Sequence, residues 1–459
     1  MTDRTLTTRA AYEARVAALR SALLAAPKDA PVRLRKRTSN LFRPRDRAAS
    51  PLDADGFSGV LAVDTEARTA DVLGMTTYED LVDATLPHGL MPLVVPQLKT
   101  ITLGGAVTGL GIESSSFRNG LPHESVLEMD VLTGAGEVVT ATPTNEHRDL
   151  YFGFPNSYGS LGYALRLRIE LEPVSPYVHL RHLRFVDVAS CVTAIEEVCA
   201  EASWDGEAVE FLDGTWFGDD EVYLTLGSWT DTAPYTSDYT GPHVYYRSIE
   251  NRAEDYLTVR DYLWRWDTDW FWCSRAFGAQ NPVVRRLWPR RLLRSNVYWK
   301  LVALERRYGV KARIDRASGK PDMEYVIQDI EVPADRLGEF LGFLFRQTGM
   351  SPVWLCPLRQ RDRDTTWDLY PLDADTTYVN VGFWGGAALP PGESEPFHNR
   401  AIEQEVARLG GRKSLYSTAF YPREEFWANY GGPAYDVLKK TYDPDGRLLD
   451  LYEKTVQRR

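Results

Sequence analysis

Apolar and polar positions along this 459-residue chain recur with two different periods. Residues 8–26 carry helical spacing, with Tyr12, Val16, Leu19 and Leu23 on one face, which predicts an amphipathic helix. Residues 58–74 (SGVLAVDTEARTADVLG) alternate around a polar turn and predict a hairpin. Thr76 to Leu86 reads as a helix, with Thr76 or Thr77 as N-cap ahead of Glu79 and Asp80. A second hairpin is expected over 124–141, turning at Gly134 to Gly136. Beyond Pro173 and Pro176 the pattern changes, and the domain boundary is placed there. Strand-like runs (YVHLRHLRFVDV, EVYLTLGSW, MEYVIQDIEV, TTYVNVGFW) now alternate with helical ones (CVTAIEEVCAEA, ADRLGEFLGFLFRQTG, HNRAIEQEVARLG). That predicts an α+β chain whose second part is an antiparallel sheet with helices on one face.

Composition narrows the function classes. A net charge of −11 argues against a general nucleic-acid binder, because phosphate affinity needs a basic footprint. Cys191, Cys199, Cys273 and Cys356 show neither C-x-x-C nor metal-ligand spacing and read as reduced core thiols of a cytoplasmic protein. The charges scattered through residues 1–24 do not suit a signal peptide, and no run of 18 apolar residues suits a membrane span. A soluble or peripheral protein is expected.

The chemistry concentrates at Thr102 to Gly120, TLGGAVTGLGIESSSFRNG, which follows the apolar run LMPLVVP. Clustered Gly104, Gly105, Gly109 and Gly111 would let backbone amides approach a ligand. Ser114, Ser115 and Ser116 add hydroxyls, and Arg118 and Asn119 add a cation and an amide. Such a set suits a pyrophosphate, although a plain glycine-rich turn between strands fits the same spacing. There is no G-x-x-x-x-G-K-[ST], and no G-x-G-x-x-G opens a helix, so P-loop and Rossmann sites are set aside.

Downstream lie HESVLEMDVLTGAGEVVTATP, DLYFGFPNSYGSLGYALRLRIELEPV and YDPDGRLLDLYEK. In this order they resemble the FAD-binding domain of the vanillyl-alcohol oxidase and p-cresol methylhydroxylase (PCMH) superfamily. The resemblance implies a two-subdomain PCMH-type FAD-binding domain at 31–175 after an N-terminal helix at 1–30. A substrate-covering cap domain would span 176–424, and 425–459 would return to the FAD domain. Residues implied to hold FAD are Thr38, Ser39 and Asn40 of a first loop, and Pro96, Thr102, Leu103, Gly104, Gly105, Gly109, Gly111 and Ile112. Further along they are Glu113, Ser114, Ser115, Ser116, Asn119, Gly120, Gly159, Leu161 and Gly162. The first loop (VRLRKRTSNLFRPRDR) is basic rather than glycine-rich and lacks the histidine that links flavin covalently in many members. Non-covalent FAD is therefore expected.

Within the superfamily, GIESSS, PVWLCPLR and YPREEFW look most like the delta-24 sterol reductase branch. The run from KRTSNLFRPR to GIES also resembles the flavoproteins that reduce a methylene-branched fatty acyl chain in tuberculostearic acid synthesis. Both resemblances imply saturation of a lipid carbon–carbon double bond, with NADPH as reductant. A proton donor is then needed, for which Glu113 and Tyr416 are candidates and His398 a weaker one. Two other readings stay open: a sugar or alcohol oxidase, and a flavin-bound subunit presenting acyl chains to a partner methyltransferase. Finally, 262–307 combines Trp264, Trp266, Trp270, Phe271, Trp272, Phe277, Trp288, Tyr298 and Trp299 with Arg285, Arg286, Arg290, Arg291, Arg294, Lys300, Arg306 and Arg307. That mixture suits a peripheral contact with the inner face of the cell membrane, or else a buried aromatic core beside a solvated basic face, or a dimer contact.

Overall fold

The computed structural model describes residues 8–28, 30–43, 50–218, 220–308 and 321–457, the side chains of 303–308 excepted. Arg45 and Arg47 of the basic loop and the side chains of Arg306 and Arg307 lie outside this set. The helix Arg9–Ala25 forms where its spacing puts it, capped by the Thr8 side chain and burying Tyr12, Leu19 and Leu23. Thr77 caps Tyr78–Thr85 by accepting from the Asp80 N–H, with Glu79 and Asp80 in the first turn, where the helix dipole favours them.

Two antiparallel sheets organise the molecule. The first contains both expected hairpins, in the order Val60–Asp64, Thr69–Leu73, Gly162–Pro173, Val126–Thr133 and Val138–Ala141, with Leu90–Pro92 also paired to Gly162–Pro173. The next strand, Tyr177–Phe185, belongs to the second sheet. That sheet runs Glu254–Thr258, Tyr177–Phe185, Glu221–Thr230, Phe211–Gly218, Val353–Leu358, Tyr378–Ala388, Met323–Pro333, Arg412–Lys413. Phe211–Gly218 and Val353–Leu358 sit inside the sheet and are almost wholly buried, so neither carries the alternation that marks a half-exposed strand.

The second sheet has two unlike faces, which position the site. One packs under the helices Val188–Glu201, Leu337–Thr348 and Phe397–Arg408, through Val326, Ile330, Val353, Leu355, Val379, Val381 and Phe383. The other carries Ile327, Trp354 and Trp384 into the core shared with the first sheet. Because side chains alternate along a strand, Asp329 and Glu331 of Met323–Pro333 share a face with Ile327 rather than with Val326. The C-terminal segment returns to the first sheet: Lys439 Nζ donates to the Ser160 carbonyl and Arg447 Nη2 to the Leu23 carbonyl.

Candidate active site

A cleft of about 1800 Å³, counting the space at its mouth, opens between the first loop, the glycine stretch and the second sheet. Its lining combines the cations and polar groups of Arg33, Lys36, Ser39, Asn40, Arg43 and Thr102 with the aromatic rings of Trp270, Phe271, Trp354 and Trp384. The first loop joins the two, Lys36 Nζ reaching Thr102 and Phe42 stacking on Trp270 at 5.4 Å between ring centroids. Asp329, beside Ser414 and Tyr416, is the single carboxylate among the described lining residues.

The glycine stretch is not the open loop its spacing suggests. Leu103–Gly109 is a short helix capped by Thr102, whose Oγ1 accepts from the Gly105 N–H at 3.2 Å and from Lys36 Nζ at 3.1 Å. The first-turn amides are already spent, Leu103 N–H on the Thr76 carbonyl and Gly104 N–H on the Gly74 carbonyl, both at 2.9 Å. Gly104 is small for packing rather than for a ligand: a Cβ there would stand 2.7 Å from the Gly74 oxygen. Gly104→Ala is accordingly expected to cost about 1–3 kcal/mol by overpacking and to lower flavin content through displacement of this helix. Thermal denaturation with flavin quantitation checks it.

Free donors occur one turn later. Among the described residues, no hydrogen bond ties the backbone N–H groups of Leu110, Gly111 or Ile112, and all three residues line the cleft. Leu110 reaches this conformation at φ +59°, and Tyr158, Trp270 and Phe271 of the same lining also have positive φ. That is four of the eight such non-glycine residues among those described, so backbone strain is concentrated at the cleft. Free amides, cations, hydroxyls and aromatic walls in one cleft fit a pyrophosphate-bearing dinucleotide with a flat ring.

The sequence-derived set divides in two. Ser39, Asn40, Pro96, Thr102, Gly104, Gly105, Gly109, Gly111, Ile112, Gly159 and Gly162 line the cleft, as does Tyr416. Thr38, Leu103, Glu113, Ser114, Ser115, Ser116, Asn119, Gly120 and Leu161 do not. The serines bond within the protein: Ser115 Oγ donates to the Leu93 carbonyl, Ser116 Oγ accepts from the Glu113 N–H, and Ser114 Oγ donates to Glu113 Oε1 at 2.6 Å. Asn119 Nδ2 donates to the Leu93 carbonyl, and Arg118 pairs with both oxygens of Glu172. Leu161 is core. The short Ser116–Asn119 helix, ending at Gly120, folds the hydroxyls inward, which residue order alone does not reveal.

Glu113 lies behind the cleft wall in a fully buried cluster. Arg265 Nη2 donates to Glu113 Oε1 at 3.2 Å and to Asp213 Oδ2 at 2.9 Å, over the ring of Tyr262. Burial pushes the Glu113 carboxyl up, against the pull of Arg265. Asp213 Oδ2 also accepts from the indoles of Trp266 and Trp354, each at 3.1 Å. Candidate His398 is likewise spent on structure, its Nε2 2.9 Å from the Ala388 carbonyl.

Asp329 is the residue the sequence reading missed. It is half-buried in the cleft lining, and desolvation pushes its carboxyl up to about 7, partly offset by hydrogen bonds from Asn380 and Tyr416. Asn380 Nδ2 donates to Oδ1 at 3.3 Å. Tyr416 in turn accepts from the Trp384 indole at 3.0 Å, and burial with the neighbouring Asp329 charge holds its hydroxyl protonated. Gly382 makes the space for this carboxyl, since a Cβ there would stand 2.6 Å from Asp329 Oδ1. The signal was present as an acid on one face of MEYVIQDIEV, but a strand pattern does not say which face meets a cleft.

Comparison with known sequences agrees with the chemistry of the cleft. A family model described as FAD binding domain matches residues 11–142. The chain is 24% identical over 438 residues to the Delta(24)-sterol reductase of Arabidopsis thaliana, covering 89% of this chain and 77% of that protein. Against the Delta(24)-sterol reductase of Homo sapiens it is 26% identical over 411 residues, covering 86% and 75%. Cytokinin dehydrogenase 2 of Oryza sativa subsp. japonica is 26% identical over 422 residues, covering 84% and 73%. The chain thus carries an FAD-binding domain of the PCMH type and is an FAD-dependent oxidoreductase.

Proposed function

We propose that this oxidoreductase saturates an isolated carbon–carbon double bond in a lipid, taking its electrons from NADPH. The favoured substrate class is a methylene-branched fatty acyl chain. The observation that carries the reading is Asp329: one carboxyl, poised near neutral pH, set among Trp270, Phe271, Trp354 and Trp384. An oxidase removing hydride from an alcohol needs a base. Reduction of an unactivated alkene needs an acid that keeps its proton, together with an apolar wall for the hydrocarbon.

FAD bound in the cleft and reduced would supply hydride to one alkene carbon. Lys36, Arg43, Ser39, Asn40 and the amides of Leu110 to Ile112 are the groups that would hold its phosphates and sugar. Asp329 donates the proton to the other carbon through its carboxyl oxygen. For a methylene branch that proton goes to the terminal carbon, which leaves the tertiary position to receive the hydride. Tyr416 and Asn380 orient the Asp329 carboxyl. The aromatic walls limit water around the carboxyl, which holds its titration up to about 7, so the acid carries its proton below that pH.

Sterol side-chain reduction is the second reading, favoured by the names and coverage of the relatives. Both readings are tested by mixing the protein anaerobically with NADPH and then with a methylene-branched phospholipid or a side-chain-unsaturated sterol. Flavin absorbance should bleach with NADPH and recover with the preferred alkene, yielding its saturated product. Bleaching by a sugar or alcohol but not by NADPH would overturn the proposal in favour of an oxidase.

A further inference from the structure

Most of the aromatic half of 262–307 does not face solvent, Phe277, Trp288 and Trp299 being half-buried. Trp264, Trp266, Trp270, Phe271, Trp272 and Tyr298 are all buried, and Trp270 and Phe271 are cleft wall. What the segment leaves outside is different: Val283 is 69% exposed and Leu287 79%, with Val284 and Leu292 beside them. Arg286, Arg290 and Arg291 are interspersed and also exposed. Arg290 reaches Asp238 at the edge of the patch, whereas Arg286 and Arg291 make no ion pair among the described residues. Scattered exposed apolar residues need no explanation, but four within ten positions alternating with cations do.

We infer that 282–292 is a membrane-docking ledge whose occupant is the surface of an anionic bilayer. Apolar side chains of this size enter the headgroup–acyl boundary, and the arginines between them meet lipid phosphates. Charge complementarity favours this occupant: a chain of net charge −11 is repelled by an anionic surface except where it presents a local basic patch. The ledge is also fixed to the cleft. Buried Arg285, at its centre, holds both oxygens of Asp269 at 2.6 and 2.9 Å, and Asp269 precedes the cleft residue Trp270. Docking through the ledge therefore sets the aromatic wall at a constant place relative to the bilayer, whichever lipid is reduced.

Co-sedimentation of the full-length protein with vesicles of phosphatidylcholine, with and without phosphatidylglycerol, tests the inference. Binding should require the anionic lipid and weaken as salt rises. At about 1 kcal/mol per basic residue, Arg286→Gln with Arg291→Gln should lower partitioning roughly 30-fold. Leu287→Glu should lower it at least as much. Both variants should keep wild-type turnover on detergent-dispersed substrate, so loss of docking stays separable from loss of activity. Equal partitioning of wild type and variants overturns the inference. So does a change in sedimentation coefficient on Leu287→Glu with no change in vesicle binding, which would assign the patch to a second copy of the chain.

Discussion

Asp329→Asn is expected to slow alkene reduction by about 10²- to 10⁴-fold, the usual worth of a positioned general acid, while flavin content and reduction by NADPH stay near wild type. Asn is nearly isosteric and keeps an oxygen for the Asn380 and Tyr416 hydrogen bonds, so the cleft wall should hold its shape. Stopped-flow reoxidation of reduced protein by alkene isolates the affected step. If Asp329→Asn reoxidises at the wild-type rate, the proton comes from elsewhere and the assignment fails. Tyr416→Phe, which removes a hydrogen bond to the carboxyl but not the acid, should have a smaller effect and move the pH profile.

That profile has a definite sign. The acid works protonated, so the reoxidation rate should be level at low pH and fall as pH rises through about 7. The same shift affects the fold in a linked way. Asp329 titrates higher folded than the roughly 3.9 of an unfolded chain, so its contribution is fully present below about 3.9 and is lost as pH rises through about 7. Asp329→Asn should therefore melt higher than wild type at pH 8 while being far slower, the combination expected of a group kept for chemistry rather than stability.

Local rules made much of the scaffold legible. The first helix, both hairpins and the Thr77 cap follow from spacing and short-range hydrogen bonding, and they formed where those rules put them. Tyr416, a proton-donor candidate of the sequence, lines the cleft. What stayed hidden depended on which face of an element another element covers. Asp329 and Gln328 are neighbours on one strand, yet Gln328 donates to Asn399 under a helix and Asp329 meets the cleft. The serine run reads as a row of donors, but a single helical turn folds it inward. The tryptophans of 262–307 have the composition of a membrane interface, yet long-range packing takes Trp264, Trp266, Trp270 and Trp272 into the core and leaves Trp288 and Trp299 half-buried.

Arg265→Met is expected to destabilise the protein by about 3–5 kcal/mol, because it leaves the Glu113 and Asp213 carboxylates buried without their shared cation. The three residues come from distant parts of the chain, the end of the glycine stretch, the strand Phe211–Gly218 and the 262–307 segment, so the cluster clips the glycine stretch to the second sheet. Its reach into the site is direct: Trp354 donates to Asp213 and walls the cleft, and Glu113 follows the cleft residue Ile112. A melting temperature lower by roughly 3–5 °C is anticipated, with flavin lost at a lower temperature still. Glu113→Gln is the informative contrast. It keeps an oxygen for Arg265 and leaves the Arg265–Asp213 pair intact, so about 1 kcal/mol is expected with little change in turnover. A Glu113→Gln variant that folds and binds flavin normally but cannot reoxidise with alkene would return Glu113 to the chemistry and unseat Asp329 as sole acid. In the double variant the loss should fall short of the sum, since removing the Glu113 charge abolishes its repulsion with Asp213 and leaves only one buried carboxylate without its cation.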